Sequence, residues 1–296
     1  MSSLFIPVAG PILVLLTPLP FVYYSVKEGP RYGIQSAILS TLIIVLAFRI
    51  AGYTQLIIFA FQFSLLGICL SELFRKRLGV GQTILWATLF MLILSVGFIF
   101  FLASSKNMGI QKMVFEYMKD QLNLTIRAYE EMGITKEVTG ELEIYGNSLL
   151  QILSKIYPSL MIIGTGFLVW LNVVLGRSLL RTRNLKYPDF GSLDRWRTPD
   201  ILIWVVIVSG FALFLSTGDI RSLAINILIV MMVIYFFHGL AIMLFFLNKY
   251  RVPLWLRIIF YFLLFFQQVF TVCLALVGLF DQWVDFRRIQ QKDIVA

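Results

Sequence analysis

The chain has 296 residues, of which 59% are hydrophobic and only 14% charged, with a net charge of +9 and a mean hydropathy of +0.86. A soluble domain is about 45–50% apolar and about 25% charged. So large an apolar surplus cannot be hidden inside a globule of this size, which excludes a water-soluble fold and makes lipid the solvent. The basic residues fall in short clusters between apolar runs, which fits an anionic membrane surface and speaks against nucleic acid.

A bilayer core of about 30 Å needs about 20 apolar residues at about 1.5 Å rise each. Eight segments approach this need, the second and sixth being short: Leu4–Ser25, Tyr32–Phe48, Thr54–Leu73, Gln82–Ala103, Leu150–Leu175, Ile201–Ser216, Leu223–Leu247 and Leu254–Phe280. They predict an all-α, polytopic transmembrane helical bundle of about eight spans. The first segment reads as a retained span, because Met1-Ser2-Ser3 has no basic n-region and Pro7, Pro11, Pro18 and Pro20 interrupt the apolar run. Those prolines also allow a broken or re-entrant segment. Cys69 and Cys273 both lie in apolar runs and read as small packing residues.

Between the fourth and fifth spans lies one long polar stretch, Ser104–Asn147, with five basic and seven acidic residues. In it Ile110, Val114, Met118, Leu122, Ile126 and Tyr129 recur at helical spacing, which predicts an amphipathic helix ending near Gly133. It lies on the membrane surface or folds over the mouth of the bundle. No soluble domain boundary, repeat or low-complexity tract is visible. The chain therefore reads as one transmembrane domain, 1–296, with the 104–147 insertion inside it.

Orientation follows from basic residues in short loops. Counting Arg257 at the start of the eighth segment, the loops after spans one, three, five and seven carry fourteen Lys and Arg, and those after spans two and six carry Arg49 and Arg221 alone. The first set is assigned to the cytoplasm. Both ends and the amphipathic insertion then fall outside, which leaves Arg287, Arg288 and Lys292 on the less favoured side.

Enzyme constellations are mostly missing, and the chain reads as non-enzymatic. His238 is the one histidine, so a histidine-built metal site has no second ligand of that kind. No G-x-S-x-G turn accompanies His238, and no nucleotide-binding G-x-x-x-x-G-K-[ST] loop occurs. No metal or cofactor is implied. Polar residues within spans carry more information, because lipid-facing polar groups are costly. Gln267, Thr271, Gly278 and Asp281 fall on one face of a continuous helix, as do Pro158, Thr165, Asn172 and Gly176, whereas Asn226 and His238 point about 120° apart. Two readings stay open for these stripes. One is helix packing through small residues and amides. The other is a small-molecule cavity among spans five, seven and eight, with Asn172, Asn226, His238, Gln267, Thr271 and Asp281 as ligand-binding candidates. The loop Arg177–Asp200 is rich in Arg and contains Trp196. It reads either as a positive-inside loop with an interfacial anchor or as a docking surface built on Arg195, Trp196 and Arg197.

Three stretches carry a family resemblance: Asp194–Trp204, the run from Asn226 through Phe237-His238-Gly239 to Pro253, and Gly278–Arg288. Together with Pro18-Leu19-Pro20 and Gly29–Gly33, they resemble the YybS-like family of bacterial integral membrane proteins, a domain of unknown function. The resemblance covers nearly the whole chain and implies a multi-pass protein of the bacterial inner membrane. Through that family's distant similarity to S components of energy-coupling-factor transporters, it also implies a small-molecule-binding or transport component working with other membrane or ATPase subunits. No ligand residue is carried over, because no specificity motif matches. The alternative is a membrane scaffold or assembly factor acting through the 177–200 loop or the 104–147 segment.

A topology reporter inserted within Ser104–Asn147 is expected to be labelled from outside the cell. Cytoplasmic labelling there would reverse the assigned orientation.

Overall fold

The structure is a computed structural model that describes residues 15–50, 57–76, 78–183, 185 and 193–287. Leu4–Val14 of the first predicted span, Lys186 in the basic loop, and Arg288 and Lys292 lie outside the described residues. Ten α-helices run through them with no strand: α1 Pro18–Glu28, α2 Pro30–Ile50, α3 Ile57–Arg75, α4 Val80–Ser105, α5 Ile110–Glu131, α6 Lys136–Thr182, α7 Leu202–Leu215, α8 Gly218–Lys249, α9 Leu254–Phe266 and α10 Gln268–Val284. Side chains such as Phe214 and Phe265 are 86% and 85% exposed, a state that water would penalise and hydrocarbon would not.

The all-α expectation is met. By length and apolarity, three helices among the described residues can cross a membrane, α4, α6 from Glu137 and α8, and a fourth is obtained if α9 and α10 form one bent span. Each of the eight apolar segments read from sequence overlaps a helix. The amphipathic helix is α5, ended by Met132 and a left-handed Gly133 at φ +82°. The remainder of the polar stretch, from Lys136, is the start of α6. That helix has 47 residues and so measures about 70 Å, more than twice the hydrocarbon thickness. Its polar first turns extend the fifth apolar segment well beyond what lipid requires.

The described residues form two compact units, and α6 contributes to both. Because one continuous helix runs through the division, no linker or composition shift marks it in the sequence. Unit 1 comprises α1 to α5 with the stretches of α6 up to Leu150 and from Gly164. Its core is Val22, Leu66, Leu70, Phe74, Ala87, Met91, Val169, Val173 and Leu180. Close approach is set by small residues: a Cβ on Gly67 would sit 2.7 Å from the Phe21 ring, so α1 and α3 touch there. The hydroxyls of Thr41 and Ser64 meet at 2.7 Å and tie α2 to α3. Gly146 of α6 packs under the Leu122 side chain of α5, which holds the amphipathic helix by its apolar face.

Unit 2 comprises Gln151–Ile163 of α6, a 3-10 turn at Leu193–Arg195, and α7 to α10. The spine is α8, with α10 packed along it. Gly239 faces the carbonyl of Leu274, and Gly278 faces the carbonyl of Tyr235, so a side chain at either position would collide with backbone. The two glycines let the helices meet backbone to backbone.

The last apolar segment differs from the sequence reading. Residues 254–284 do not form one straight helix: they break at Gln267, whose backbone is extended (φ −111°, ψ 100°), and the halves are bent by 102°. The Thr271 hydroxyl bonds the Leu264 carbonyl, 3.2 Å, and so re-satisfies a group freed by the break. The two outer ends of this pair return to the same place. Arg257 Nη1 donates to Asn248 Oδ1 (2.9 Å), Asn248 Nδ2 donates to Asp194 Oδ2 (3.1 Å), and Arg287 Nη1 donates to the Asp194 carbonyl (2.9 Å). A straight helix would hold Arg257 and Arg287 about 45 Å apart. The chain after α10 therefore lies beside the basic loop, where the sequence reading placed the two on opposite sides.

A reporter inserted directly after Arg287 and one inserted in the 193–200 loop are expected to be labelled from the same side of the membrane. Labelling from opposite faces would mean that α9 and α10 cross the bilayer.

Candidate functional site

The chemistry of unit 2 gathers where α8, α10 and the loop before α7 meet. His238 lies on α8 beside Gly239, and Asp281 lies on α10 one turn after Gly278. The close crossing at the two glycines brings these side chains together, and both are 0% exposed. His238 Nε2 is 3.1 Å from Asp281 Oδ2. Arg287 completes the cluster from beyond the end of α10, where Asp285 adopts a left-handed conformation that turns the chain back. Its Nη2 lies 3.2 Å from Asp281 Oδ2 and 2.9 Å from His238 Nε2.

The electrostatics balance locally. One carboxylate and one guanidinium share a site with an imidazole, and the remaining hydrogen-bonding capacity is largely used. Asp281 Oδ1 accepts the Phe286 backbone N–H at 2.8 Å. Arg287 Nη1 donates to the carbonyls of Asp194 and Trp196, at 2.9 and 3.0 Å. Gln282 donates to the Thr198 carbonyl at 3.2 Å. A buried ion pair needs this kind of secondary bonding to offset desolvation.

His238 Nε2 faces a group that can only donate and a group that can only accept. It can accept from Arg287 with its proton on Nδ1, or donate to Asp281 with Nδ1 bare. In either form Nδ1 has no hydrogen-bond partner among the described residues. Tyr235 Oη, Thr198 Oγ1 and Arg287 Nε are likewise buried without a partner there. The rings of Tyr235 and Trp196 flank His238, with centroids 6.4 and 6.1 Å away. Two orphaned polar atoms, His238 Nδ1 and Arg287 Nε, thus belong to the cluster itself.

The other candidates are placed as follows. Asn226, in unit 2, is spent on packing: its Oδ1 accepts the Ser159 N–H (2.9 Å), and its Nδ2 donates to the carbonyls of Lys155 and Ser222 (2.8 and 2.9 Å). Asn172 lies in unit 1 and donates to the carbonyls of Leu15 and Leu168, at 3.1 and 2.9 Å. Gln267 is exposed at the helix break, so it no longer shares a helical face with Asp281. Thr271 closes that break. Of the three docking candidates, Arg195 is exposed, Trp196 is half-buried against His238, and Arg197 is half-buried with Nη2 3.4 Å from Asp200.

Sequence reasoning found His238 and Asp281 but not Arg287, which it counted as a tail charge. A signal was present. A carboxylate in an apolar helix requires a counter-cation, and Arg287 is the next basic residue after Asp281 in the chain. The orphaned hydroxyls of Tyr235 and Thr198 had no comparable signal.

Comparison with known proteins supports the family resemblance. A family described as "Predicted membrane protein (DUF2232)" matches residues 1–282. The chain is 23% identical over 289 residues to the protein named "Uncharacterized protein YybS" of Bacillus subtilis (strain 168), covering 96% of this chain and 91% of that one. No solved structure matches.

Removing one partner of a buried ion pair costs about 3–5 kcal/mol, while replacing both with apolar groups of similar volume is near neutral. Arg287→Ala is therefore expected to lower unfolding stability by about that amount, and the double variant Asp281→Leu with Arg287→Met to recover most of it. Thermal unfolding in detergent measures both.

Proposed function

The chain belongs to the DUF2232 family of predicted membrane proteins, and on that footing we propose that it is a non-enzymatic membrane component that binds or transports a small polar molecule at the His238–Asp281–Arg287 cluster. The observation that carries the reading is that two of the three clustered side chains each keep a buried, unpartnered atom, His238 Nδ1 and Arg287 Nε. A buried polar atom without a partner costs about 1–3 kcal/mol, and such atoms persist where a water or a ligand completes them. Ionisable groups inside a membrane protein mark ligand and ion pathways by default. The guanidinium and the imidazole suit an anionic or hydrogen-bonding ligand.

In this reading the protein is a multi-pass protein of the bacterial inner membrane. The first seven apolar segments cross, and the α9–α10 pair enters and returns on the cytoplasmic side. The hydrogen bonds from Arg287 to Asp194 and Trp196 support that return. They also place Arg287 with the other basic residues, as the charge rule prefers. Partner subunits that supply the energy follow from the YybS-like family's distant similarity to S components of energy-coupling-factor transporters, and they fit a chain with no nucleotide-binding loop of its own.

A second reading, a membrane scaffold, is favoured by a different observation. Asn226 spends both ends of its amide, and Asn172 its Nδ2, on backbone groups, which is the work of packing.

Purification in mild detergent with mass spectrometry of retained molecules separates the two. A retained small molecule that is lost from a folded Asp281→Asn variant is expected. Retention of ATPase subunits would support the coupled form. Recovery of envelope or cytosolic proteins alone, with no metabolite and no ATPase, would sink the carrier and leave the scaffold.

A further inference from the structure

Unit 2 contains a second feature that the cluster does not use. The 102° bend at Gln267 drives α9 away from α10, while Gly239 and Gly278 hold α10 against α8. The result is an apolar groove of about 570 Å³ whose walls include Ile242, Phe246 and Tyr250 of α8, Phe260 of α9, Val277 of α10, and Phe286. That volume lies within the roughly 300–1,000 Å³ of small-molecule sites. Such a surface suits a hydrocarbon chain.

The mouth of the groove is cationic. Arg257 is committed to structure: its Nε and Nη2 donate to the carbonyls of Val252 and Leu247, at 2.9 and 3.0 Å, and so pin the start of α9 to the end of α8. Lys249 is different. Its ammonium lies 5.8 Å from the ring centroids of Phe246 and Tyr250, two walls of the groove, and no carboxylate among the described residues pairs with it. Two residues on, Arg251 is exposed and occupies a left-handed position (φ +49°) where glycine or asparagine is usual. Between Asp219 and Asp281 the chain has no acidic residue. Of the carboxylates in the facing loop, Asp194 accepts from Asn248 and Asp200 pairs with Arg197.

We propose that the groove between α8, α9 and α10 binds one acyl chain of an anionic phospholipid, with Lys249 and Arg251 holding its phosphate. A dry apolar groove that opens beside two cations matches a molecule with a long hydrocarbon tail and a negative head. The groove borders the His238 cluster through Gly239 and Phe286, but the lipid reading rests on Lys249 and Arg251, so its failure would leave the cluster reading untouched.

The test uses the full chain, delipidated in detergent and offered phosphatidylglycerol or phosphatidylcholine with identical acyl chains, with retention read by native mass spectrometry. About tenfold preferential retention of phosphatidylglycerol is expected, the order of effect that two cations near a headgroup supply. In Lys249→Gln/Arg251→Gln that preference should vanish while residual binding of both lipids remains. Met243→Trp, which fills the groove, should reduce both. If Met243→Trp does not fold, the folded Phe260→Trp variant is read instead: phosphatidylglycerol brominated on its acyl chain should quench fluorescence beyond the wild-type level. Equal retention of the two lipids, no effect of the double variant, or no added quenching in Phe260→Trp would overturn the proposal. So would occupation of the groove by a second copy of the chain.

Discussion

A carboxylate with no exposed surface has to be answered by a cation within reach, and in unit 2 Asp281 is answered by Arg287. That pairing governs more than its own stability. It turns the chain back after α10, since Arg287 reaches Asp281 only by way of the left-handed Asp285. It captures the loop before α7, since the same guanidinium bonds the carbonyls of Asp194 and Trp196. It also places the His238 ring between a donor and an acceptor. Desolvation makes these bonds mutually dependent: each stays favourable only while the others keep the site charge-balanced and closed.

The glycines set where this can happen. Gly239 and Gly278 remove the side chains that would otherwise hold α8 and α10 apart. The contact they allow lies next to His238 and one turn from Asp281. Close approach of backbones thus becomes close approach of functional groups. The break at Gln267 has the opposite effect and turns α9 away from the line of α10. One helix therefore borders both a tight polar cluster and an open apolar groove, and the two call for ligands of different chemistry.

Unit 1 is built on other terms. Its core is aliphatic and aromatic, and its cross-links are neutral, such as the Thr41–Ser64 hydroxyl pair and the Asn172 bonds to Leu15 and Leu168. No buried charge has to be balanced among its described residues. The amphipathic helix α5 follows from its apolar face, and Leu122 seats it on Gly146 of α6.

By itself the sequence determined the solvent, the helical class, and the position of nearly every apolar helix, because burial in lipid acts on residues one at a time and composition records it. It also determined α5 and its stop at Gly133, because 3.6-residue periodicity and a left-handed glycine are local properties. It singled out His238 and Asp281 as unusual for their surroundings. Only the tertiary structure decided that these two meet, that Arg287 joins them, and that Gln267 breaks the last segment and removes itself from their face. Those outcomes depend on contacts between residues 43 and 93 positions apart. The free energy that fixes them is the cost of leaving a buried charge or backbone group unpaired, a term set by what stands opposite a residue and not by what stands next to it in the chain.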